Sequence, residues 1–285
     1  MRRRVVAVFF AVCLVLVARL PLAGQNEMRI TVADGQRCVT SNGLPDHATG
    51  SFPNPGNPHT MTAQSIRLCM PSEPVKGARV TWLRGTVGIA INGVQFRPGT
   101  ADWYDPESPR GHSRDQDSGW NLDGMGSARV LGIDFNAAHV DHSGLYHYHG
   151  ISADLVASLA RGSTRIGWAA DGHEIHYVGG RQRASWQLKQ GVRPTAPYGR
   201  YDGTYNEDWE YVAGSGSLDQ CNGGDVGDTF VYFATDTYPF YPRCAWGRVS
   251  ADFSAHRGGD ASRSRGGRPR AKGQRPTGQR RGPPL

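Results

Sequence analysis

Between residues 29 and 254 apolar side chains recur mainly at every second position, in short runs separated by Gly, Asp, Asn or Pro. A period of two marks a strand with one buried face, because successive side chains of a strand point to opposite sides. The pattern predicts strands at 29–32, 78–83, 87–91, 128–135, 145–149, 166–170, 174–178, 185–188, 209–212 and 229–234, all rich in Val, Ile, Thr and aromatic residues. One segment has helical spacing instead. Ser152 can cap it, Asp154 sits in its first turn, and Leu155, Val156 and Leu159 form an apolar stripe ahead of Gly162. There is no internal repeat. The expected fold is mainly β: a single β-rich domain over residues 25–254, a sandwich or a distorted barrel, with one short helix and long loops. Two of those loops, 41–64 and 97–127, are polar and rich in Gly and Pro, the kind of segment from which sites are built.

The two ends of the 285-residue chain break this pattern. Arg2, Arg3 and Arg4 precede an apolar run over 5–18, and small residues follow at Ala23 and Gly24. Fourteen residues fall short of the ~20 that span a bilayer as a helix. The segment 1–24 therefore reads as a signal peptide, and the mature chain as secreted or periplasmic, with no transmembrane segment. Residues 255–285 carry nine basic residues against one acid, spaced by Gly, Ser, Pro and Gln. Nothing there can build a core, so a disordered tail is expected, suited to contact with polyanions. These ends account for the net charge of +7, and the body between them is acidic. That argues against a nucleic-acid-binding body.

Cys13 lies in the leader, leaving Cys38, Cys69, Cys221 and Cys244. An even number of cysteines in an oxidising compartment implies two disulfides. Of the three possible pairings, Cys38–Cys69 with Cys221–Cys244 closes the shorter loops and is the one expected. No C-x-x-C pair suggests thiolate zinc.

Candidate chemistry is concentrated between Ala138 and Gly150, where His139, His142, His147 and His149 occur within eleven residues. In a strand His147 and His149 share one face while Tyr146 and Tyr148 take the other. Two imidazoles at that spacing can share an ion. A hairpin closed over Asp141–Gly144 would bring His139 back beside them, giving a three-histidine set suited to Zn²⁺ or Cu²⁺. The opposing reading is a half-buried aromatic strand whose histidines bond to carbonyls or carboxylates. Asp171, in an Asp-Gly turn, could support an imidazole or serve as a general base, or simply shape the turn. His173 and His176, three apart, fall on opposite faces of a strand. Oxygen-rich loops at Asp202, Asp219, Asn222 and Asp225 lack EF-hand spacing. There is no G-x-S-x-G, Walker A loop, H-E-x-x-H or dinucleotide-binding glycine motif.

The run Gly144-Leu145-Tyr146-His147-Tyr148-His149-Gly150 resembles the signature of the YHYH domain proteins. So do its surroundings, among them Asn42-Gly43-Leu44-Pro45-Asp46-His47, Gly132-Ile133-Asp134-Phe135-Asn136, Ile166-Gly167-Trp168-Ala169-Ala170-Asp171-Gly172, Leu218-Asp219-Gln220-Cys221-Asn222-Gly223 and Tyr238-Pro239-Phe240-Tyr241-Pro242-Arg243-Cys244. The resemblance runs from about Ser41 to Gly247. It implies an extracytoplasmic protein without fixing a reaction, and it places His47, His139, His147, His149, Asp171, Asp202 and Asp219 on matching positions. His173 and His176 stand where the family has an aromatic residue. Two functions follow as expectations. One is a secreted metal-binding protein, with metalloenzyme chemistry open to it, with His139, His147 and His149 as ligands and Asp171 or His47 as supporting base. The other is a non-catalytic extracellular module binding a glycan or protein through Trp103, Trp120, Trp168, Trp209, Tyr146 and Tyr148.

Overall fold

Most of the segments with a period of two are strands in the computed structural model, which describes residues 25–255. The expected leader at 1–24 and all but the first residue of the expected basic tail lie outside the described residues. Strands occupy Met28–Ala33, Gly88–Ala90, Tyr146–Tyr148, Arg165–Ala169, Glu174–Tyr177, Trp186–Leu188, Trp209–Tyr211 and Thr229–Ala234, while the expected 78–83 strand shortens to Thr81–Trp82. The helix is Ala153–Ala157, and Ser152 caps it by accepting from the Leu155 backbone N–H at 3.1 Å.

The protein is mainly β. Eight strands form one open, mixed sheet in the order Gly223–Val226, Thr229–Ala234, Glu174–Tyr177, Arg165–Ala169, Gly88–Ala90, Gln95–Phe96, Tyr146–Tyr148 and Ala138–Val140. It does not close into a barrel. Met28–Ala33, Gln36–Ser41 and Ile66–Pro71 make a separate three-stranded antiparallel sheet. Val39, Leu68 and Met70 of this small sheet pack with Ile89 and Trp168 of the large one and with Leu145 just ahead of its Tyr146–Tyr148 strand, a partial sandwich. In the small sheet Cys38 stands opposite Cys69, and these two form a disulfide. Cys221 and Cys244, both fully buried, form the other.

The opposite face of the large sheet carries the larger core, which includes Phe96, Tyr146, Tyr148, Leu155, Ile175, Tyr232 and Tyr241. Phe96 stacks on Tyr241 with centroids 4.3 Å apart. Each buried ring of this size contributes about 2 kcal/mol of apolar burial, and its hydroxyl then needs a partner. Tyr146 donates to Asp134 Oδ2 at 2.9 Å, Tyr241 to the Gly150 carbonyl at 2.6 Å and Tyr232 to Asp171 Oδ2 at 2.7 Å. The alternation of Tyr and His over 146–149 thus sends tyrosines into this core and histidines to the other face.

One expected strand is absent. Residues 128–135 alternate in sequence, yet they form turns. The Asp123 carboxylate accepts from Met125 and Gly126 N–H, and the ladder continues through Ser127 N–H to the Asp123 carbonyl and Leu131 N–H to the Ser127 carbonyl. Gly132 then turns the chain at φ +63°. Local capping by an Asp outcompetes the weak strand preference here. The turn leaves Val130 and Phe135 exposed and buries Leu131.

Candidate metal centre

Register brings the histidines together. Ala138–Val140 pairs antiparallel with Tyr146–Tyr148, and His139 stands directly opposite His147. The Asp141–Gly144 turn closes the hairpin, with the Asp141 carboxylate accepting from Ser143 and Leu145 N–H and the Gly144 N–H reaching the Asp141 carbonyl at 2.9 Å. His149 lies two residues beyond His147 on the same face. The His149 Nε2 is 3.1 Å from His139 Nε2 and 3.1 Å from His147 Nε2. Three ligands at 2.0–2.1 Å from one ion in tetrahedral directions stand ~3.3 Å apart. His147 and His149 are buried and His139 is partly open, so access to the centre is from the edge strand.

Main-chain carbonyls fix the ring orientations. His139 Nδ1 lies 2.9 Å from the Leu131 carbonyl and His147 Nδ1 3.0 Å from that of Leu145. A carbonyl only accepts, so both rings carry their proton on Nδ1 and turn a bare Nε2 lone pair inward. His149 Nδ1 is buried without a hydrogen bond of good geometry, near the Pro98 carbonyl and against Gly124. Burial pushes all three imidazole pKa values down, and Arg97 adds to the effect. Neutral rings with lone pairs converging at 3.1 Å repel one another unless a proton or cation lies between them. This donor set fits a borderline divalent metal with at least one position left for another ligand. The turn at 128–132, where a strand was expected, supplies the carbonyl that orients His139.

Other residues singled out in the sequence lie elsewhere. Asp171 is fully buried and accepts from Tyr232 Oη, Gly247 N–H and His173 N–H. Its turn follows the Arg165–Ala169 strand, three strands from the histidines, or about 14 Å at ordinary strand spacing. His47 is on the far face of the Tyr146–Tyr148 strand, stacked on Tyr148 with centroids 5.9 Å apart and its Nε2 2.5 Å from the Tyr148 hydroxyl. Neither reaches the histidine cluster. Asp202 pairs with Arg193, and Asp219 accepts from Cys221 and Gly223 N–H and from Trp246 Nε1, so these carboxylates are committed to structure. Sequence reasoning missed Arg97, whose Nη1 bonds Asp141 Oδ2 at 2.7 Å, and the buried His112, 3.1 Å from Asp102. Both lie in the long 97–127 loop, whose composition marks a site but not its residues.

Comparison with known proteins gives one family match. The model described as YHYH protein matches residues 67–247, starting later than Ser41, so that His47 falls outside it. No curated protein and no solved structure matches significantly. The matched span holds all three converging histidines, the Tyr-His-Tyr-His strand and the Cys221–Cys244 disulfide, and it covers more than half of the sequence: this chain belongs to the YHYH protein family.

Proposed function

We propose that this is an extracytoplasmic metal-binding protein in which His139, His147 and His149 hold one Zn²⁺ or Cu²⁺ ion through their Nε2 atoms. The carrying observation is the approach of His149 Nε2 to within 3.1 Å of both other Nε2 atoms while carbonyls occupy two of the Nδ1 positions. A bound ion would supply Lewis acidity at a position open to water or substrate, the arrangement of a metalloenzyme. The protein's share is to orient the rings, keep them neutral and limit water to the side of His139. An export route is supported by the leader sequence and two disulfides, and no helix among the described residues is long and apolar enough to cross a membrane. The alternative of a glycan- or protein-binding face has less support, because Trp120, Trp168, Tyr146 and Tyr148 are buried.

Elemental analysis of untagged protein after dialysis tests the reading. About one equivalent of metal is expected, and the double variant His147→Ala, His149→Ala should retain none. Protein that carries no metal and whose thermal stability is unmoved by added Zn²⁺ or Cu²⁺ overturns it.

A further inference from the structure

The face that carries the histidines continues across the sheet. Tyr146–Tyr148 pairs in parallel with Gln95–Phe96, with His147 level with Gln95 and Tyr148 level with Phe96. Paired residues share a face, so His139, His147 and Gln95 stand in one row. Gln95 is 1 % exposed. Its Oε1 accepts from the Thr86 hydroxyl at 2.5 Å, whereas its Nε2 is buried with no hydrogen-bond partner. A buried amide donor left without an acceptor is costly, and such a group commonly marks where a ligand or water belongs.

Arg97, two residues on, is on the same face. Its backbone N–H donates to the Tyr148 carbonyl at 2.8 Å, level with His149, yet its Nη1 reaches Asp141 beyond the far edge strand. The side chain therefore crosses the face on which the three rings stand. Asp141 takes one of its N–H groups; its Nε and Nη2 bond to no other group among the described residues.

We propose that Gln95 and Arg97 form the anion-recognising wall of the histidine centre, so that the ligand taken up beside His139, His147 and His149 carries an oxyanion, either a carboxylate or a phosphate. An amide N–H and a guanidinium fork are complementary to such oxygens. This inference rests on the metal-binding reading and adds to it the chemical class of the ligand.

The test uses whole protein loaded with Cu²⁺, its metal content measured first, and titrated separately with acetate and with inorganic phosphate. The readout is the change in the copper absorption and paramagnetic resonance spectra. Saturable binding of one or both anions is expected, the stronger one identifying the carboxylate or phosphate class. Arg97→Gln and Gln95→Glu should each weaken that binding about tenfold or more while one equivalent of copper is retained. Gln95→Glu keeps the side-chain shape and the acceptor for Thr86, and so guards against a folding defect in the arginine variant. Wild-type protein that holds copper but binds neither anion overturns the inference alone. So does unchanged anion affinity in both variants. Wild-type protein that holds no metal removes the underlying reading, and the inference with it.

Discussion

Gly124 shows how little room the centre leaves for change at a single residue. A methyl group added there would stand 2.2 Å from His149 Nδ1 and 2.7 Å from its Cγ, far inside contact distance. His149 has nowhere to retreat, because its other nitrogen already meets His139 and His147. Gly124→Ala should therefore turn the ring and weaken metal retention by about 10–100-fold, the range seen when groups supporting a ligand are lost. A competitive chelator titration checks this. Gly180→Ala, where nothing lies within 4 Å, is the control and should leave retention unchanged. The residues that build the centre were readable in the sequence as three of the four histidines that fall within eleven positions. Their supports were not. The carbonyls of Leu131 and Leu145 act through main-chain atoms that every residue possesses, and Gly124 acts by lacking a side chain.

Among the elements, strand parity carried the most information. Alternation of Tyr and His predicts two faces, and register turns that into a tyrosine core on one side and a histidine cluster on the other. The failure at 128–135 has a local cause, since the Asp123 cap and Gly132 impose a turn that hydrophobic alternation does not report. Gln36–Ser41 and Ile66–Pro71 were missed because their pattern is diluted by Arg and Cys, although Cys38 opposite Cys69 explains the disulfide. Asp171 is legible in sequence as an Asp-Gly turn, and its placement suits a pin between elements: it joins the turn after Arg165–Ala169 to Tyr232 of Thr229–Ala234 and to Gly247. Burial raises its carboxyl pKa, but His173, Tyr232 and the Gly247 N–H outweigh that and hold it below the ordinary value. A group with a depressed folded pKa contributes stability above its unfolded pKa and loses it as pH falls through the folded one. Asp171→Asn should thus cost about 2–3 kcal/mol at neutral pH, and the gap from wild type should narrow in acid. Urea unfolding of both proteins at pH 7 and at pH 3 measures it. A gap that widens in acid would contradict the assignment.

For the whole molecule, the two disulfides do different work, and the difference is open to measurement. Both close loops in the unfolded chain, spanning 31 and 23 residues. Loop-closure entropy alone gives each about 3–4 kcal/mol, so on that ground they are nearly equal. Their surroundings are not. Cys38 and Cys69 lie in the small sheet, 9 % and 8 % exposed beside a surface groove, where six backbone pairs already hold the strands in register. Cys221 and Cys244 are fully buried in the main core and connect the segment before Gly223–Val226 to Cys244–Ala245, which pairs with Thr81–Trp82. Removing their sulfurs adds a cavity to the lost cross-link. Cys38→Ala with Cys69→Ala should therefore lower Tm by about 10 °C, as expected for a chain of this size, and Cys221→Ala with Cys244→Ala should lower it further. Neither disulfide contributes to the histidine cluster, so whatever stays folded should keep its metal. Thermal unfolding followed with metal content separates the two effects. If the outer pair proves the more damaging, the small sheet, and not the core beneath the tyrosines, is what limits the stability of the domain.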